Sequence, residues 1–118
     1  MTQYIDGFVL PIPHDRLEEY QRQAAAVAMI WKEHGALDYR EYVGDDMHLE
    51  GTAAFTNLAK ASHDEVVIFG WVLFESREAR DQAHAKVATD PRVAELIDPV
   101  ASGFDASRMA FGGFRPLV

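Results

Sequence analysis

Residues 65–75 read EVVIFGWVLFE, and from Val66 to Phe74 no polar side chain interrupts the run. A strand with one face in water alternates apolar and polar residues, so an unbroken apolar strand is one covered on both sides. The run is far too short to cross a bilayer. It therefore reads as a strand inside a sheet, and the fold turns on what covers each face.

Working upstream, GALDYREYVGDD (35–46) alternates as a strand ending in a polar turn, and YIDGFVLPI (Tyr4–Ile12) reads as the first strand, ended by Pro11 and Pro13. Between them Leu17, Tyr20, Ala24, Val27 and Trp31 recur at helical intervals. Asp15 with Glu18 resembles a capping box opening that helix, which should run to His34. Gly35 is a left-handed stop, and His34 suits the negative end of the helix dipole. Downstream, Ser76 caps a second helix whose apolar stripe is Ala79, Ala83 and Val87. Asp90-Pro91 interrupts it, Val93–Ile97 adds a short turn, and SRMAFGGFRPLV (107–118) supplies a fourth strand before Pro116. The order βαββαβ is the split arrangement of an α+β, ferredoxin-like domain with a four-stranded antiparallel sheet. Right-handed crossovers place both helices on one face.

Two helices cover one face only, and little chain remains for the other. The simplest second layer is another copy of the protein, sheet against sheet, in a two-fold dimer. Size suggests which face is which. Gly7, Gly70 and Gly112 share parity with Ile5, Val9, Ile68, Val72 and Ala110, a set that would let helices approach closely. The opposite parity collects Asp6, Phe8, Phe69, Trp71, Leu73 and Phe111, bulky residues assigned to the dimer interior. Plain core is the rival reading for Phe8, Phe69 and Leu73. In the second strand Leu37, Tyr39 and Val43 should face the helices, with Arg40 and Tyr42 turned toward Asp6 and Trp71. The rival for Arg40 is an ion pair with an acid at the rim.

The chain has 118 residues, 48% hydrophobic and 25% charged, which bounds it to one globular domain over 1–118. There is no cysteine, so disulfides, thiolate metal sites and thiol catalysis are excluded together. The opening MTQYIDGFV carries no basic residue before its apolar run and does not read as a signal peptide, which makes the cytoplasm the expected location. A formal charge of −8 repels phosphate backbones and anionic membrane surfaces, so neither nucleic acid nor membrane is expected as a partner.

The segments YIDGFVLPIP, WKEHGALDYREYVGDD, VVIFGWVLFESREARD and MAFGGF together resemble the YbaA-like DUF1428 family, a domain of unknown function, in order along nearly the whole chain. The resemblance implies a dimeric α/β barrel, the superfamily of antibiotic-biosynthesis monooxygenases, haem-degrading oxygenases and muconolactone isomerase-like enzymes. It implies no particular reaction, since fold analogy alone does not carry one.

A cofactor-independent oxygenase needs a dry pocket, an aromatic surface for stacking, and a base or donor to form and hold an anion. Asp6, Phe8, Arg40, Tyr42, Trp71 and Phe111 are the candidate binding residues, with Tyr39 an alternative to Tyr42. A buried Asp6 beside Arg40 would be a poised carboxylate; beside apolar groups alone its pKa would rise toward that of a base near neutral pH. No cofactor is expected. Haem in particular needs a ligand, and His14, His34, His48, His63 and His84 all fall in caps, loops or helices. His84 lies one place off its helix's stripe and reads as exposed, although a helix histidine can still reach a pocket between helix and sheet. Asp45, Asp46, His48 and Glu50 sit close enough to bind a divalent metal, but the spacing matches no metal motif, and a solvated turn is the plainer account. The connection from Asp45 to Asp64 is too long for a hairpin and contains Phe55 and Leu58. It reads either as a lid over the cavity or as an arm gripping the partner. Two functions follow as expectations: a homodimer binding a small organic molecule in an aromatic cavity, with oxygenase or isomerase chemistry, or a non-catalytic interaction protein whose interface is packed shut.

Overall fold

The computed structural model describes residues 2–118. In chain order the elements are β1 (Tyr4–Pro13), α1 (Leu17–Glu33), β2 (Asp38–Val43), α2 (Phe55–Leu58), β3 (Glu65–Phe74), α3 (Arg77–Ala88), α4 (Pro91–Leu96), α5 (Pro99–Ser102) and β4 (Ala110–Phe114). The fold is α+β, with one four-stranded sheet in the order β2-β3-β1-β4 whose neighbours all run antiparallel.

Helix ends follow local chemistry in two places and depart from expectation in one. Ser76 Oγ accepts a hydrogen bond from the Ala79 amide at 3.0 Å and starts α3. Gly35, at φ +119°, follows the His34 cap of α1. The capping box is not formed: Asp15 lies in a 3-10 turn (His14–Arg16), and α1 begins without a side-chain cap. That turn is tied instead by the His14 amide donating to the Asp64 carbonyl at 2.9 Å. β1 also runs on through Pro11 to Pro13. Past Val9, β4 no longer pairs with it, so proline there forfeits no hydrogen bond on that side.

Residues directly opposite in the register share a face. Asp6 faces Val72, Phe8 faces Gly70 and Leu10 faces Ile68 on β3, while Phe8 faces Phe111 on β4. Tyr39 lies opposite Val72 and Glu41 opposite Gly70. Leu10, Ile12, Ile68 and Tyr20 of α1 form one buried cluster, and Val72, Phe74, Ala36 and Ala83 of α3 form another, so this is the helix side. The face assignment made from residue size is therefore right for β2 and β3 and inverted for β1 and β4. Asp6, Phe8 and Phe111 point toward the helices, while Ile5, Gly7, Val9, Ala110 and Gly112 point away. The reason is that these glycines make room for rings rather than for helices. A Cβ on Gly70 would collide with Cζ of Phe8, and one on Gly7 would lie 3.2 Å from Cε1 of Phe114.

The other face is covered at one end by the chain itself. Val9 and Val67 are buried with Ala59, Met47 and Ala61 of the connection between β2 and β3. Phe55 of α2 meets Phe69 edge-on, centroids 5.9 Å apart. The connection thus lies on the face opposite the helices, which sequence had left without cover from its own chain. Beyond it the sheet is open: Phe69 is 44% exposed, Tyr42 53% and Phe114 56%. Among the described residues no helix is long and apolar enough to cross a membrane.

Candidate functional site

The helix side of the sheet holds a half-open cavity of about 200 Å³. One pole is built from β1 and α3. Ala83 is fully buried against the sheet, which brings the same face of α3 down onto Asp6. Arg80 and His84, four residues apart and therefore neighbours on the helix surface, both reach it. Arg80 Nε donates to Asp6 Oδ1 at 2.8 Å, and His84 Nε2 lies 2.6 Å from Asp6 Oδ2. Asp6 is 1% exposed, a buried carboxylate matched by a guanidinium and an imidazole. An ionised carboxylate only accepts, so Nε2 carries the proton, and in the neutral ring Nδ1 keeps its lone pair. The imidazole is set among rings: Trp31 at 5.3 Å, Phe111 at 6.1 Å and Phe74 at 6.3 Å between centroids.

The second pole lies at the edge strand. Glu41 on β2 accepts a hydrogen bond from the Tyr39 hydroxyl at 2.7 Å and another from the hydroxyl of Tyr20 on α1. Burial pushes the Glu41 carboxyl up, and the two tyrosine hydrogen bonds pull it back. Burial, followed by the neighbouring carboxylate, drives both tyrosine hydroxyls far above their ordinary range, so they remain donors at every physiological pH. Among the described residues Glu41 has no ion-pair partner.

Between the poles the floor is Phe8, whose ring lies across Gly70 and 6.3 Å from Tyr39. The far wall is held by Gln23 on α1, which is buried and accepts from the Asp98 amide at 2.9 Å. Ser102 Oγ donates to the Asp98 carbonyl at 2.9 Å, so the α4–α5 segment is tied to α1 and closes the space with Ile97, Phe104 and Met109.

Three of the six residues predicted from sequence, Asp6, Phe8 and Phe111, line this cavity. Arg40, Tyr42 and Trp71 lie on the opposite face, with Arg40 directly across from Trp71 and bonded to Asp38 at 3.3 Å. The structure does not bring the two groups of three together. Because the cavity and the 45–64 connection occupy opposite faces, that connection does not close over this cavity. His84 is neither free in solvent nor fully buried: it is the helix histidine that reaches the pocket between helix and sheet, and its i,i+4 spacing from Arg80, beside the stripe residue Ala83, is the available signal. Glu41 was equally legible, sharing the parity of Tyr39 and Val43. Asp45, Asp46, His48 and Glu50 form no such centre; among the described residues no three acidic or imidazole groups converge as a metal site.

The family model "Protein of unknown function (DUF1428)" matches residues 3–106. The chain is 36% identical over 116 residues to "Uncharacterized protein YbaA" of Escherichia coli (strain K12), covering 98% of this chain and 97% of that one, and equally similar to the Shigella flexneri protein. Among solved structures, Rv0793 from Mycobacterium tuberculosis superposes with a TM-score of 0.57 over 98% of this chain and 96% of that one at 14% identity, a likeness of fold alone. The order of elements, the sequence match along nearly the full length and the family model agree: this chain belongs to the DUF1428 family.

Proposed function

We propose that this protein is a ferredoxin-like dimeric α/β barrel that binds a small organic molecule in the helix-side cavity and transfers a proton at His84. The observation that carries the reading is the Asp6–His84 pair opening onto aromatic walls. A buried carboxylate that fixes one imidazole nitrogen orients the other and stabilises the imidazolium formed when it accepts a proton. Proton removal is the step an isomerase and a cofactor-independent oxygenase have in common. The volume suits a compact molecule, since a cavity of about 150 Å³ already admits benzene. The dimer half of the proposal rests on the open face, where Phe69, Trp71, Leu73, Tyr42 and Phe114 leave an apolar surface of the kind that a second copy buries.

The chain has two tryptophans, and they report on different faces. In Trp71→Phe the remaining Trp31 lines the cavity, so its fluorescence should shift with whatever molecule native mass spectrometry recovers from the purified protein. Ala24→Phe, which fills the cavity, should abolish both signals. The recovered molecule, incubated with protein in deuterated water, should gain deuterium with wild type and not with His84→Gln. A protein that copurifies with nothing, and whose Trp31 ignores added aromatic compounds, would leave the packed-shut interaction module as the better account.

A further inference from the structure

We propose that the ligand of this cavity is a small protonated amine with an aromatic or apolar body, held through Glu41. This deepens the cavity reading and rests on it. Three observations converge. First, of the groups lining the cavity only Asp6, Glu41 and His84 can carry charge, and no lysine or arginine lines it. Asp6 is already matched by Arg80, which itself lies behind the wall and bonds Asp81 as well. Glu41 is thus the one carboxylate in the cavity with no cation opposite, its hydrogen bonds coming from two neutral phenols. A half-buried carboxylate gains from a cation opposite it, and a cationic ligand supplies one to Glu41.

Second, the surface groove outside the cavity has the same character. It runs between α1 and β2, shares Tyr20, Ala24, Tyr39 and Glu41 with the cavity, and likewise contains no basic side chain. Glu41 borders both spaces, so a cation drawn by a chain whose formal charge is −8 meets the same carboxylate in either. Third, the rings of Tyr39, Phe8 and Trp31 line the same space, and an ammonium seated over an aromatic face is favoured by its quadrupole. A carboxylate or phosphate ligand meets its own sign at Glu41, in the cavity and in the groove alike.

The spacing sets the ligand's length. Glu41 on β2 lies across β3 from Phe8, and Asp6 is two residues further along β1, so their backbones are roughly 12 Å apart. One ring and a short chain span the gap between their side chains, placing the amine at Glu41 and the far end of the molecule at His84.

Three near-isosteric probes test the charge class: 2-phenylethylamine, 2-phenylethanol and phenylacetate, titrated near neutral pH against the Trp31 fluorescence of Trp71→Phe. The amine should bind about tenfold tighter than the alcohol, with phenylacetate the weakest. Glu41→Gln should cut the amine's advantage to about threefold or less, the share left to the rings, and leave the alcohol within about threefold. Phenylacetate binding as well as the amine, or an amine preference undiminished in Glu41→Gln, overturns the assignment of an amine to Glu41 while leaving the cavity as a binding site. Should Glu41→Gln misfold, the wild-type order of the three probes decides alone. If none of them moves Trp31, the cavity reading fails together with this one.

Discussion

Asp6 shows how much a single side chain can depend on its surroundings. Read in its strand it is an acid among apolar neighbours; in the fold it is the joint acceptor for Arg80 and His84. Removing it strands a guanidinium that is only 15% exposed. Asp6→Ala should therefore cost about 3–5 kcal/mol in urea unfolding, the usual cost of breaking a buried pair from one side. His84→Gln keeps a hydrogen-bond donor and should cost about 1 kcal/mol or less. Equal losses for both would contradict the distinction between a structural carboxylate and an imidazole free to do chemistry. Gly70 supplies a second test. A methyl group added there would run into the ring of Phe8, so Gly70→Ala should destabilise by about 1–3 kcal/mol. Adding Phe8→Leu, which removes the para carbon, should recover much of that loss. Neither contact was visible in the sequence, because each joins residues far apart in the chain.

At the scale of elements, the regular pieces follow from periodicity, and their junctions follow from ion pairs. Arg108, just before β4, grips Glu65 at the start of β3 through two hydrogen bonds of 2.6 and 2.8 Å. The Arg108 guanidinium, then the Ser62 amide, hold the Glu65 carboxyl down at about 2. A folded-state pKa below the unfolded one gives stability that is present above the ordinary value of 4.5 and is lost as pH falls toward 2. Arg108→Gln should thus flatten the acid limb of stability against pH between those values and lower stability at neutral pH. Glu41 works in the opposite sense. Burial raises it, so its contribution is greatest below the ordinary carboxylate value and is lost as pH climbs through the raised one. Glu41→Gln should steepen the rise of stability from acid toward neutral pH, checked by urea midpoints across that range. The strands, both long helices, the Ser76 cap and the Gly35 stop were legible because each depends on residues within a few positions. The 3-10 entry to α1 was not, since it is tied by the distant carbonyl of Asp64.

For the whole molecule the open sheet face is the deciding surface. Phe69, Trp71 and Leu73 share it with Arg40 and Tyr42, and only the end over Val9 and Val67 is covered by the 45–64 connection. Light scattering on the intact protein should give a dimer mass, and Trp71→Glu should give a monomer that keeps its helical circular dichroism. A wild-type monomer would remove the dimer half of the proposed function and leave the helix-side cavity untouched, since no residue of that cavity comes from the open face. Sequence placed Trp71 opposite the helices for a sound reason: β3 is apolar throughout, so its bulkier parity had to find cover elsewhere. Carrying the same size rule to β1 and β4 failed, because glycines there accommodate rings from neighbouring positions.

Taken alone, the sequence determined the α+β architecture, the order of its elements and the need for cover on both sides of β3. These depend on local periodicity and on the cost of leaving apolar surface in water. Tertiary structure decided which parity of each strand met the helices, and with it the site: Asp6, Phe8 and Phe111 entered the cavity, Arg40, Tyr42 and Trp71 did not, and His84 and Glu41 became its two poles. Strand register is set by packing between segments remote in sequence, and a shift of one residue exchanges the two faces entirely.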